Sequence, residues 1–197
     1  MPPLTHKEKV PREDLLLRRK PTASLPFAAQ RTVAMDPILY LGVEGVLFRI
    51  RARSHTGECR AHRLSSPEPL SLLEPVSAIV AHETKLKIVL NSWLVADYGF
   101  RRLLRLLPVG IAQKAIGATI SGNRLHSRPL EYRARAELLR EDVARRKPTQ
   151  ITIVDASRSA IPTELLYRSI CVSESDLKCP AEFAATLRRF VESQSTD

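Results

Sequence analysis

The stretch that most constrains the fold is ILYLGVEGVL, running from Ile38 to Leu47. Four apolar residues, Ile38, Leu39, Tyr40 and Leu41, lead into a tight polar turn that holds Gly42, Glu44 and Gly45. The apolar chain resumes at Val46, Leu47 and Phe48. A short apolar run ending in a glycine-bearing turn suits a buried parallel strand whose carboxyl end opens onto a site.

Helical and extended patterns alternate along the rest of the chain. From Leu70 to His82 the apolar residues Leu72, Leu73, Val76, Ile79 and Val80 recur at helical spacing, with Pro75 in the first turns, where proline is best tolerated. Leu86 to Leu90 (LKIVL) reads as a strand ending in Asn91, Ser92 and Trp93, the tryptophan expected in core packing. Tyr98 to Leu107 sets four leucines against Arg101, Arg102 and Arg105, which predicts an amphipathic helix stopped by Pro108. A short helix over 109–115 leads to a third strand at Ile116–Ile120 and a loop at Ser121–Asn123. Glu131 to Arg146 reads as a strong helix ended before Pro148, and ITIV at Ile151–Val154 as a strand ending at Asp155. Ser169–Val172 is a further strand, with Cys171 expected in the core. Pro180 opens the last helix, with Phe183, Leu187, Phe190 and Val191 on one face. Strands alternating with helical segments indicate an α/β fold with a mainly parallel sheet of about five strands and helices on both faces.

Two segments stand apart. Residues 1–34 combine several prolines, scattered charge and no sustained apolar period, and read as a flexible basic arm. Met35, Asp36 and Pro37 lie directly before the first strand and would serve well as a start, so the arm can also reflect a misassigned start codon. The folded domain is then 35–197, with a polar loop or flap at about 49–69 broken by Gly57, Pro67 and Pro69. Within the flap, His55, Cys59 and His62 have metal-ligand spacings but lack an evident fourth ligand, so a solvated basic loop is the simpler account.

Composition narrows the partners. The chain carries a net charge of +10, of which +4 falls in residues 1–34 and +6 in 35–197. Such an excess attracts polyanions without sequence specificity, which makes a nucleic-acid-associated module one reading and an arginine-rich soluble surface the plainer one. Aromatic residues are few, so no stacking platform for single-stranded nucleic acid is proposed. No apolar run approaches the ~20 residues that span a bilayer, which argues against a membrane partner. Cys59, Cys171 and Cys179 form no even framework, which suits reduced thiols and a cytoplasmic location.

Three predicted strand ends carry polar residues: Gly42–Glu44, Asn91–Ser92 and Asp155. Small residues and hydroxyls bring donors close to a phosphate, and carboxylates hold a hard cation such as Mg²⁺. In their order and spacing these segments resemble the haloacid dehalogenase (HAD) superfamily, and most closely a branch of small, minimally capped bacterial members. ILYLGVEGVL resembles that superfamily's first motif, hhhhDxDG(T/V)(L/V). IVLNSW at Ile88–Trp93 resembles a second motif of the form VLSxSW, and the YGFRRLLRLLP and IGAT segments also look like that branch. IVDA at Ile153–Ala156 partly matches a fourth motif of the form LDD.

The resemblance covers about Met35 to Val191 and implies a Rossmann-like HAD fold with a damaged site. Gly42 stands where the nucleophilic aspartate belongs, so no aspartyl-phosphate can form there. Glu44 stands at the acid/base position, one methylene longer than aspartate. Asn91 and Ser92 would hydrogen-bond a phosphate oxygen. Arg133 would supply the third-motif cation, with Arg128 and Arg135 near enough to leave that choice open. Asp155 would help bind Mg²⁺, although Ala156 removes the second acidic group. The implied function is a degenerate HAD-like domain that binds a phosphorylated small molecule or a protein partner without ordinary phosphatase activity. An active phosphohydrolase with an altered mechanism is the alternative.

Overall fold

The computed structural model describes residues 36–49, 67–120 and 133–192. The chain divides between Val33 and Ala34 into two units, and all of the described residues belong to the second. Expectations for the basic arm, for His55, Cys59 and His62, for Ser121–Asn123 and for Arg128 fall outside the described residues.

In chain order the elements are β1 (Ile38–Leu41), β2 (Phe48–Arg49), β3 (Glu68–Pro69), α1 (Leu73–His82), β4 (Lys87–Leu90), α2 (Leu94–Tyr98), α3 (Phe100–Leu104), α4 (Val109–Lys114), β5 (Ala115–Ala118), α5 (Arg135–Arg146), β6 (Ile151–Asp155), β7 (Ser169–Cys171), α6 (Glu174–Lys178) and α7 (Pro180–Glu192). Two 3-10 segments, Arg158–Ala160 and Thr163–Arg168, lie between β6 and β7. The main sheet has the order β5-β4-β1-β6-β7, and every neighbouring pair is parallel. This is a Rossmann-like α/β sheet with β1 in the middle. Among the described residues no helix is long and apolar enough to cross a membrane.

The central strand is buried along its whole length because helices cover both faces, which is the usual condition of a parallel sheet. Leu39, Leu41, Ile88, Leu90 and Val154 point to one face and join Val76, Ile79, Val80, Ile111, Phe183 and Leu187 in the larger core. On this face α1 packs against α4 and α7. Ile38, Tyr40, Val89 and Ile153 point to the other face and meet Leu139 of α5 and Ile161. Burying a side chain of this size contributes roughly 1.5–3 kcal/mol, so the larger face supplies most of the apolar stabilisation.

The smaller face is held partly by polar contacts. The Tyr40 hydroxyl donates to Asp142 Oδ2 at 3.2 Å, and Arg146 Nε donates to the same oxygen at 2.7 Å. Burial, with the Asp142 carboxylate beside it, pushes the Tyr40 hydroxyl well above its ordinary pKa. Arg146 lies over Gly117 of β5, where a Cβ would come within 2.6 Å of its Nη2.

Three local expectations need correction. The helix expected over Tyr98–Leu107 is shorter: α3 runs only from Phe100 to Leu104, and Gly99, with φ +81° and ψ +146°, separates it from α2, which ends at Tyr98. Cys171 is exposed instead of in the core. It is the last residue of an edge strand, and with the two-residue period Ile170 and Val172 turn to the core while Cys171 turns away. Trp93 is half-buried and lies outside the core clusters. At the flap, β2 and β3 pair antiparallel, Phe48 beside Pro69, so the segment is closed at its base by a two-residue ribbon.

Candidate strand-end site

The register of the three central strands brings the polar strand ends together. Leu41 lies beside Leu90 on one side and Val154 on the other, so the next residues, Gly42, Asn91 and Asp155, emerge side by side. The backbone continues the pairing one step further, with Gly42 N–H donating to Val154 O at 2.8 Å and Asn91 N–H to Leu41 O at 2.9 Å.

The Asn91 and Asp155 side chains are joined in one hydrogen-bonded network. Thr119 Oγ1 donates to Asn91 Oδ1 at 2.9 Å, and Asn91 Nδ2 donates to Asp155 Oδ2 at 3.1 Å. Asp155 Oδ1 accepts from Arg135 Nη2 at 3.0 Å and from the Ser157 N–H at 2.8 Å. Arg135 Nη1 donates to the Asn91 carbonyl at 2.9 Å and comes within 3.8 Å of Glu44 Oε2. Glu44 Oε1 accepts from the Leu94 N–H at 3.1 Å, while Oε2 is buried without a hydrogen-bond donor. Ser92 Oγ accepts from the same Leu94 N–H at 3.2 Å.

Asn91, Ser92 and Asp155 have no solvent exposure, and the Arg135 side chain is 10% exposed. Burial pushes the Asp155 carboxyl upward, and the nearby Glu44 adds to that. The Arg135 guanidinium, the Ser157 N–H and Asn91 oppose the rise without cancelling it. The cluster thus sets two carboxylates, Asp155 fully buried and Glu44 partly exposed, against one guanidinium.

Gly42 explains why Asp155 can lie where it does. A Cβ built on Gly42 would fall 2.7 Å from Asp155 Oδ2, 2.9 Å from its Cγ and 3.2 Å from its Cα. The Asp155 carboxylate therefore fills the space that a side chain at position 42 would need. Glycine here permits a close approach, and an aspartate could not be added without displacing Asp155.

The arginines left open by the sequence separate clearly. Arg133 precedes α5 and points to the surface, where it pairs bidentately with Glu141 and lies 3.9 Å from Glu137. The structure does not bring it to the strand ends. Arg135 is the first residue of α5 and shares its inward stripe with Leu139, Asp142 and Arg146, at helical spacing. That stripe is the signal that singles out Arg135, since Leu139 must face the sheet and Arg135 lies one turn before it.

The residues present do not fit a divalent cation as they stand. Among the described residues no three His, Cys, Asp or Glu side chains converge to hold a metal ion. Asp155 Oδ1 already receives two donors, and the Arg135 charge lies within contact of every oxygen that a cation would share with it. Repulsion from that guanidinium would oppose Mg²⁺ in the same space.

No family model, curated protein or solved structure matches this chain.

Proposed function

We propose that this chain is a degenerate HAD-like domain that works by binding a phosphorylated small molecule or a protein partner, without aspartyl-phosphate turnover. The observation that carries this reading is the occupation of the space beside Gly42 by the Asp155 carboxylate. An aspartyl-phosphate intermediate of the kind the resemblance implies needs a carboxylate nucleophile at the end of the central strand. Position 42 has no side chain, and the neighbouring carboxylate is buried and held by Asn91, Arg135 and Ser157. The amide of Asn91 is engaged on both sides and Ser92 is fully buried, which leaves the partly exposed Glu44 as the group of the cluster most open to a ligand.

The test is hydrolysis of a generic aryl phosphate by the purified full chain with and without Mg²⁺. The expected rate equals the buffer background in both. Turnover that disappears in Glu44→Gln would overturn the reading and establish a hydrolase in which Glu44 acts on water directly. Salt-sensitive binding to mixed DNA or RNA, lost on deleting residues 1–34, would instead favour the nucleic-acid module.

A further inference from the structure

The disagreement between the site and a divalent cation has a specific cause. Arg135 gathers three oxygens from three different strand ends: Asp155 Oδ1 at 3.0 Å, the Asn91 carbonyl at 2.9 Å and Glu44 Oε2 at 3.8 Å. A carboxylate, a backbone carbonyl and a second carboxylate form the kind of all-oxygen set that a hard cation takes, completed by water. Here a planar guanidinium lies among them instead, Nη2 donating to Asp155 Oδ1 and Nη1 to the Asn91 carbonyl, with Glu44 Oε2 beside it as an ion pair and not a hydrogen bond.

We infer that Arg135 is a resident counter-cation, standing in for a divalent metal, and that removing its charge uncovers a divalent-cation site made of Glu44, Asp155 and the Asn91 carbonyl. Asp155 is fully buried and Glu44 partly so, and two carboxylates drawn to one guanidinium repel each other unless a positive charge offsets them. With Arg135 present, one guanidinium offsets part of that charge and repels a second cation. Without it, a dication would neutralise both carboxylates at once. The Glu44 oxygen that lacks a donor is the group with most to gain from such an ion. The inference deepens the degenerate-site reading but requires no phosphate chemistry, so it can fail while that reading stands.

The experiment compares the full chain with Arg135→Met, Arg135→Lys and Asp155→Asn after removal of metal by EDTA. Thermal unfolding and calorimetric titration are measured with Mg²⁺ alone as the probe, with no phosphate ester present. The wild type should show no binding heat and an unchanged melting temperature in millimolar Mg²⁺. Arg135→Met should melt lower than wild type in EDTA and recover by ~3 °C or more at Mg²⁺ near ten times its dissociation constant. Arg135→Lys keeps the charge and should remain insensitive to Mg²⁺. A rise in the wild-type melting temperature with Mg²⁺, abolished in Asp155→Asn, would overturn the counter-cation role. An Arg135→Met protein that melts identically with and without Mg²⁺, or stays unfolded in both, would overturn the uncovered site. A Mg²⁺ response in Arg135→Lys equal to that of Arg135→Met would show that charge is not what excludes the metal. Turnover of aryl phosphate, measured separately, bears only on the proposed function.

Discussion

At the scale of single residues, Gly42 and Asp155 are one feature in two places. The carboxylate can fold in beside β1 only because position 42 lacks a Cβ, and Arg135 and Asn91 hold it there by hydrogen bonds. Gly42→Ala should therefore destabilise the protein by about 1–3 kcal/mol, the usual range for overpacking a closed site. The added methyl would meet the Asp155 backbone as well as its carboxylate, so a side-chain rotation alone cannot relieve it. Urea unfolding measures the loss; an unchanged midpoint would mean that Asp155 is free to move aside. The same contact bears on attempts to rebuild a phosphatase. Gly42→Asp would set a third carboxylate against two that already share one guanidinium, so restoring the motif letters does not restore the space they require.

At the scale of elements, α5 does the most with the fewest apolar residues. Leu139 is its only fully buried hydrophobic side chain, and the inward stripe is completed by Arg135 toward the strand ends and by Asp142 and Arg146 toward the other end. One helix thus joins two polar networks, the strand-end cluster and the Tyr40–Asp142–Arg146 group. Gly99 acts at the same scale. Its φ of +81° with ψ of +146° lies in a region that side chains avoid, and it separates α2 from α3 while its N–H still bonds Val95 O. Gly99→Ala should cost on the order of 1–3 kcal/mol from backbone strain. Circular dichroism during urea unfolding measures that cost; a stabilised variant would show that the break is not needed.

For the domain as a whole, stability is concentrated in the middle of the sheet. β1 is paired on both sides and covered on both faces, whereas β5 and β7 are edges of that sheet, with half-buried or exposed residues. Native-state hydrogen exchange should find the amides of Tyr40, Leu41, Val89 and Leu90 opening only with global unfolding. Those of Ile116, Gly117 and Ile170 should open at lower free energy. Equal protection across all five strands would mean that the sheet unfolds only as a unit.

The amino-acid sequence by itself determined the architecture, because burial writes itself into apolar periodicity. Ile38–Leu41, the runs before Asn91 and Asp155, and the stripe of α7 could be placed without coordinates, and their alternation implied the parallel sheet. The convergence of Gly42, Asn91 and Asp155 was also legible, since in such sheets the strand ends share one edge. Only the tertiary structure decided which arginine enters that edge. Arg133 and Arg135 are chemically identical, and a shift of two residues relative to the start of α5 sends one to solvent and the other to Asp155. The break at Gly99 and the outward face of Cys171 were equally out of reach, because backbone sign and strand-edge position leave no periodic trace. The filled space beside Gly42 belongs to the same class: a missing Cβ is visible in the sequence, but what moves into its place depends on contacts between residues far apart in the chain.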